Sequence, residues 1–474
     1  MVRLDSMNTL VCRLVFLLVV FGVVSTACEK QSQPAVVILP TATLAATRTS
    51  KATPSPMPDS PSQIPIEGSV LRGVKINFWH PWSGKQALVI QSLIDEFNES
   101  NEYGINVTVI PKGGSDFLEE QVISAAYNGN LPEIIVAPIT FLSALHENYN
   151  NLVNLNEFIN NPQWGMSEDE VLSYSLTFWE QDIVDDFRVG LAAQRDLYLI
   201  FYNQTWAKEL GFDEPPNTQD DFLNQACAAA RANASDDDKE NDWTGGWIYD
   251  IQPLSVLSWL KSFNGGGLPT KETIPYLFET STNQNAFDFL HRIFRIDCAW
   301  VGREDTPYNY FSQRQALFYS GSTQEITIQE GITNEDQWTV IPYPSLQGDP
   351  IVLADGWSYG ILRTQAEKQL AAWLLIKWLL SAENQARLIG VTGSLPLTNT
   401  TLLEMDDYRE NHPVWNDALL YLPLAKPAPS LESWRIAGRV IQDAAWQLMQ
   451  ANIASSDISE LLGRADRLIK DLIG

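Results

Sequence analysis

Apolar and polar residues alternate where the body of this chain begins: Val74, Ile76 and Phe78 fall on one face, Lys75, Asn77 and Trp79 on the other. This two-residue period predicts a strand, ended by a loop at His80-Pro81-Trp82-Ser83-Gly84. Ala87, Ile90, Ile94 and Phe97 then recur at helical spacing, and that helix stops near Asn101. Ile105 to Ile110 alternates again, Phe117 to Tyr127 is helical in pattern, and Glu133-Ile134-Ile135-Val136-Ala137 is a short apolar run. Strand, helix, strand, helix, strand is the rhythm of a parallel sheet with helices on its faces, so an α/β fold is expected. The rhythm returns after Gly190, with a strand over Leu197 to Tyr202, a turn and short helix over Asn203 to Phe212, and a helix over Phe222 to Arg231. Asp236 to Glu240 reads as a solvated loop. Ala371 to Leu380, with Trp373 and Trp378, is apolar on almost all sides and too short to span a bilayer, so a buried helix is predicted. From Trp434 the chain is helical again, with Ile436, Val440, Ala444 and Leu448 four apart.

Ahead of this body the pattern changes. Arg3 and Arg13 flank an apolar run, Leu14 to Val24, which ends in Ser25-Thr26-Ala27-Cys28. That is the layout of a secretory signal peptide over residues 1–27. The cysteine after small residues resembles the lipobox of bacterial lipoproteins, which implies that Cys28 is lipidated, although Ser25 stands where such boxes usually carry Leu. The alternative is an ordinary signal peptide beside a chance cysteine. Residues 28–70 are rich in Pro, Thr and Ser, a composition that buries too little to offset the entropy of ordering and so predicts a tether. Val36-Val37-Ile38-Leu39 does not fit a pure tether. About 400 residues remain from Leu71, more than one growing core supports, so two lobes are expected.

Charge and cysteine count narrow the function. Among 474 residues, 58 are acidic and 31 basic, a formal charge of −27 that argues against nucleic acid and against anionic lipid as partners. His80, His146, His291 and His412 lie at no metal-ligand spacing, so no zinc site is expected. The acidic run from Asp236 fails as a calcium loop, because Asn241 and Trp247 stand where glycine and the closing glutamate belong. With Cys12 in the signal segment and Cys28 assigned to lipid, Cys227 and Cys298 are left, and an oxidising compartment predicts one disulfide over two buried thiols.

Several motifs share a common source. Ile76 to Gly84, Gly129-Asn130-Leu131-Pro132-Glu133, Leu199-Ile200-Phe201-Tyr202-Asn203, Glu209-Leu210-Gly211-Phe212 and Phe263-Asn264-Gly265-Gly266-Gly267 follow one another in order. Gln315-Ala316-Leu317-Phe318, Val340-Ile341-Pro342-Tyr343-Pro344 and Gly393-Ser394-Leu395-Pro396-Leu397 complete the set. Together they resemble the extracellular solute-binding proteins of ATP-driven importers, in particular the family that includes maltose- and glycerol-phosphate-binding proteins. Two departures are Glu133, where the family places aspartate, and Trp357, where it usually has a smaller residue.

The resemblance implies a two-lobed α/β binding-protein fold with a ligand cleft between lobes. It divides the chain into 71–192 plus 352–395 and 193–351 plus 396–474, crossing near Ala192–Asp196, Val352–Asp355 and Leu395–Leu397. Hinge closure would bury the ligand and present the closed form to a permease, the protein acting as a monomer held by lipid outside the cytoplasmic membrane. Sugars need aromatic platforms for their apolar faces and planar polar groups for their hydroxyls. Trp79 and Trp82 follow the first strand, and Thr140 the third, at the strand ends where open α/β sheets bind ligands. The resemblance adds Arg195 and Asp196 on a crossing segment, the turn Gly321-Ser322-Thr323-Gln324, the pair Trp434-Arg435, Trp357, and Tyr249 with Ser255 ahead of the triple glycine. Each tryptophan has packing as its alternative, and Asp196 could instead form a hinge salt bridge with Arg195. No cofactor is implied. A glycerol-phosphate-type ester held by Arg195 and Arg435 is the second ligand reading, a membrane sensor the second partner reading, and an exported glycoside hydrolase the rival class, for which no Gly-x-Ser-x-Gly elbow or His-Glu-x-x-His helix is found.

Overall fold

Three parallel strands open the body: β1 (Lys75–His80), β2 (Asn106–Pro111) and β3 (Ile134–Pro138), in spatial order β2-β1-β3. The computed structural model describes residues 68–269, 276–302, 306–332 and 335–473. The signal segment, Cys28 and the tether up to residue 67 lie outside the described residues. Helices Gly84–Ser100 and Ser115–Asn128 carry the chain between these strands. The first buries Ile90, Leu93, Ile94 and Phe97, and Asn101 closes it by donating its backbone N–H to Phe97. Glu133 is almost fully buried and accepts hydrogen bonds from the Asn77 amide (2.8 Å) and Lys368 Nζ (2.9 Å), tying β1 to the helix Ala366–Leu379. That helix is the apolar one anticipated around Trp373, whose indole donates to the Trp164 carbonyl.

A two-residue hairpin follows, β4 (Ile183–Val184) and β5 (Phe187–Arg188). Its turn residues Asp185 and Asp186 hold positive φ of 47° and 67°, as a type I′ turn requires. Then comes β6, Leu191–Asn203, thirteen residues where the sequence pattern marked only Leu197 to Tyr202. The strand is buried on both faces, so it shows no alternation, and Gln194-Arg195-Asp196 interrupts its apolar run. The remaining strands are β7 (Gly245–Ile248), β8 (Ala299–Trp300), β9 (Ala316–Ser322), β10 (Trp338–Ile341), β11 (Leu353–Ile361) and β12 (Lys426–Pro427).

All but the hairpin join one sheet, with main path β2-β1-β3-β11-β6-β9-β7-β8, β10 pairing β6 and β12 pairing β11. The outer strands on each side run parallel, whereas β3/β11, β11/β6 and β6/β9 are antiparallel. β6 and β11 are therefore the two long strands that carry the sheet from one half of the molecule to the other. Apolar cores lie on both faces of each half: around Phe78 and Trp373 and around Leu142 and Leu145 in the first, around Trp247 and Trp259 and around Phe201 and Trp415 in the second. A third strand of chain runs alongside the junction, where the Leu395 N–H donates to the Arg195 carbonyl (2.8 Å) and Leu397 accepts from Ser175 (3.1 Å).

Cys227, on the helix Gln219–Ser235, and Cys298, just before β8, form a disulfide across 71 residues of sequence. Cross-linking a loop of that length removes entropy from the unfolded chain equivalent to about 4 kcal/mol in the loop-closure model. Replacing both cysteines by serine is expected to lower the thermal denaturation midpoint and to abolish its sensitivity to reductant; calorimetry with and without reductant reads both.

Candidate functional site

The pairing of β6 with β11 sets which side chains meet. Asp196 lies opposite Asp355, Gln194 opposite Trp357, and Tyr198 opposite Leu353. Directly opposed residues of an antiparallel pair share a face, and residues two apart on a strand share it too. Gln194, Asp196, Tyr198, Asp355 and Trp357 thus form one surface. Gly356 permits it: a Cβ there would stand 2.1 Å from the Gln194 carbonyl oxygen, so only glycine lets the two backbones approach this closely. Above the Asp355 end of this surface lies a cavity of about 330 Å3, lined by Thr140 after β3, by Tyr198 and Asp355, by Gln252 and Pro253, and by Trp434.

Hydrogen bonds fix the polar members. Trp82, 2 % exposed, donates its indole N–H to Gln194 Oε1 (2.8 Å), and its ring lies 6.2 Å from Trp357 and 5.2 Å from His80. Burial lowers the His80 pKa to about 4, leaving that ring neutral. Asp196 accepts from Thr323 Oγ1 (3.1 Å) and Gln324 Nε2 (2.5 Å). Tyr198 donates to Asp250 Oδ2 (2.5 Å), whose other oxygen accepts from the Gln252 amide (2.8 Å). Glu325 sits over Gly321 and accepts from the Ser322 amide (2.9 Å) and from Tyr308 (3.2 Å). Burial raises all four carboxyl groups: Asp196 to about 6, Glu325 to about 7, and Asp250 and Asp355 upward.

Of the anticipated set the structure brings Thr140 and Trp434 into the cavity lining, sets Trp82, Asp196 and Trp357 on the adjoining face outside that lining, and separates others. Arg195 alternates to the opposite face, is fully buried, and pairs with Asp182 at 2.5 Å while donating to Ser358 Oγ and the Trp357 carbonyl. The ion pair of Arg195 is with Asp182 and not with Asp196. Trp79 points away from Trp82 by the same strand parity, into a groove with Gln121 and Asn128, with Lys112 Nζ 3.4 Å from its ring centroid. Tyr249 packs at a tilt against Trp247 and edge-on against Phe294 in the apolar core, and Ser255 is fully buried, accepting from Tyr343 (3.1 Å). Gly321, Ser322, Thr323 and Gln324 hold Asp196 and Glu325 in place and do not line the cavity. Arg435 forms an ion pair with Glu119 on the helix Ser115–Asn128, its guanidinium 5.4 Å from the Phe141 ring. Burial raises the Glu119 pKa in spite of that partner. Gln194, Tyr198, Asp355 and Gln252 were not anticipated; the strand period, counted two residues either way from Asp196, marks Gln194 and Tyr198.

Aromatic faces, a hydroxyl, an amide and a carboxyl group around a cavity can hold a small polyhydroxylated molecule. The sequence profile of the family described as bacterial extracellular solute-binding protein matches residues 92–414. The chain belongs to that family. No curated protein matches this solute-binding protein by sequence. Among solved structures it is similar to the sugar-binding protein MalE from Xanthomonas citri, at 18 % identity and a TM-score of 0.70, over 84 % of this chain and 98 % of that one. The cyclic alpha-maltosyl-1,6-maltose binding protein from Arthrobacter globiformis aligns at 16 % identity and TM-score 0.69, over 84 % and 99 %. UgpB from Mycobacterium tuberculosis, solved with glycerophosphocholine, gives 16 % and 0.69 over 84 % and 98 %. At such identities the likeness establishes the fold, which is the two-lobed α/β fold of solute-binding proteins. Among the described residues no helix is long and apolar enough to cross a membrane.

Two outcomes follow from this geometry. Arg195→Met removes the ion-pair partner of buried Asp182 and leaves it only the more distant charge of Arg188, which costs up to about 3–5 kcal/mol, readable by denaturant unfolding. The folded state holds the Asp196 proton more tightly than the unfolded chain. The stability this contributes is full below the ordinary value of 3.8 and is lost as pH rises through about 6. Unliganded Asp196→Asn protein is therefore expected to lose less stability than the parent between those limits, measured by midpoints across a pH series.

Proposed function

We propose that this solute-binding protein captures a carbohydrate in the cavity over β6 and β11 by hinge closure, and delivers it to the permease of an ABC importer. The observation that carries the reading is the cavity lining itself, Trp434 and Tyr198 as aromatic planes for sugar C–H faces beside the Asp355 carboxyl, the Gln252 amide and the Thr140 hydroxyl as partners for sugar hydroxyls. The lobes are 71–192 plus 352–395 and 193–351 plus 396–474, with β6, the start of β11 and Leu395–Leu397 as the crossings. Cys28 carries the lipid that anchors the monomer outside the cytoplasmic membrane, and residues 28–70 are its tether. The role is capture and not catalysis. A glycerol-phosphate-type ester is the weaker reading, because Arg195 and Arg435, the guanidinium groups it would require, are engaged by Asp182 and Glu119, and the cavity's own charges are carboxyl groups.

A thermal-shift screen of the purified protein against mono- and oligosaccharides, polyols and glycerol phosphate esters tests this. A sugar at a hundred times its dissociation constant is expected to stabilise the protein by about 2.7 kcal/mol, and Trp434→Ala is expected to remove that shift. Stabilisation by phosphate esters alone would overturn the carbohydrate assignment.

A further inference from the structure

Asp250 does not line the cavity, yet each of its carboxyl oxygens holds a residue that does. Oδ2 accepts the Tyr198 hydroxyl proton at 2.5 Å, and Oδ1 accepts the Gln252 N–H at 2.8 Å. The second bond is an Asx turn, which bends the chain after β7 so that Gln252 caps the helix Pro253–Ser262, with proline at its first position. Pro253 and Leu254, the opening residues of that helix, line the cavity too. One side chain thus sets the placement of four lining residues, one on β6 and three at a helix start. Asp250 is itself anchored, because the preceding Tyr249 donates its N–H to the Trp300 carbonyl (2.8 Å).

The bond from Tyr198 has a chemical consequence. A phenol carries one proton and two acceptor lone pairs. With the proton committed to Asp250, the Tyr198 oxygen offers a ligand an acceptor only. The ring lies against Tyr343, 6.3 Å between centroids and 16° between planes, so packing and the hydrogen bond hold one orientation. The turn alone does not call for a carboxylate, since asparagine makes Asx turns as well. What the carboxylate adds is a second acceptor, and that one serves Tyr198.

We infer that Asp250 is a positioning residue of this cavity, acting through Tyr198 and Gln252, and that it fixes the Tyr198 oxygen as an acceptor that selects a ligand with a hydroxyl donor at that point. The inference rests on the carbohydrate reading above and deepens it. A free sugar hydroxyl satisfies the oxygen, whereas a phosphate oxyanion or an ether oxygen sets lone pairs against lone pairs.

Asp250→Asn isolates this role, because its carbonyl can keep the turn while its amide donates to the Tyr198 oxygen and turns the phenol proton away. Titration calorimetry on the full chain uses maltose, glucose and glycerol 3-phosphate as probes. The expected result is that maltose or glucose binds the parent, and that Asp250→Asn and Tyr198→Phe each weaken that sugar about fivefold to tenfold, the loss of one hydrogen bond. The double variant is expected to bind no more weakly than either single one, because both remove the same interaction. A merely structural role would multiply the two losses. Far-UV circular dichroism confirms folding, and if Asp250→Asn does not fold, Tyr198→Phe decides alone. Parent-like affinity in Asp250→Asn or in Tyr198→Phe, or losses that multiply, overturns the inference and leaves the carbohydrate reading standing. Glycerol 3-phosphate binding with neither sugar bound overturns the carbohydrate reading and the inference with it. Binding of none of the three probes overturns the inference as well.

Discussion

The contact between β6 and β11 is the constraint on which the rest depends. One antiparallel register, made possible by the missing side chain of Gly356, joins the two halves of the sheet and decides which residues face the cavity. A slip of one residue would send Asp196, Gln194 and Tyr198 into the core and bring Arg195 out. The burial of Arg195 against Asp182 acts against such a slip, because an uncompensated guanidinium or carboxylate inside the sheet is among the most costly defects a fold can carry. Arg195, which the resemblance marked as a ligand contact, is therefore held inside the sheet by Asp182, while its neighbours Gln194 and Asp196 lie on the other face.

Closure of the site draws on elements far apart in sequence. Thr140 follows the third strand, Gln252 precedes the helix Pro253–Ser262, and Trp434 begins the helix Trp434–Gln447. Gly438 lies one turn on from Trp434 and lets its ring lie flat, since a Cβ there would meet the indole at 3.3 Å. The disulfide lies within the second half, between the helix Gln219–Ser235 and the start of β8.

Much of the fold was legible in the chain. Alternation and helical spacing marked β1, β2, the helices between them and the apolar helix around Trp373, because each buries one face or all faces in a recognisable period. The length of β6 was not legible, since a strand covered on both sides carries no alternation and polar Gln194-Arg195-Asp196 breaks its run. Motif resemblance pointed to both Arg195 and Asp196 on one segment, and only the β6/β11 register sets them on opposite faces. Trp79 shows the converse. Its parity with Lys75 and Asn77 already set it apart from Phe78 and His80, and adjacency to Trp82 in sequence obscured that. Asp355 and Gln252 could not be read at all, because their roles come from long-range pairing.

The ion pair between Glu119 and Arg435 joins helices from opposite halves, outside the cavity lining. Any free energy it adds to the closed arrangement is added before a ligand arrives and regardless of which ligand that is. On the proposed hinge closure, apparent affinity scales with the fraction of molecules already closed, and this pair would then act as a gain control, raising or lowering binding of every ligand by one common factor. Discrimination between ligands is left to the face of β6 and β11. On that reading strength and selectivity of capture are held by different residues, and sequence change could adjust one without disturbing the other.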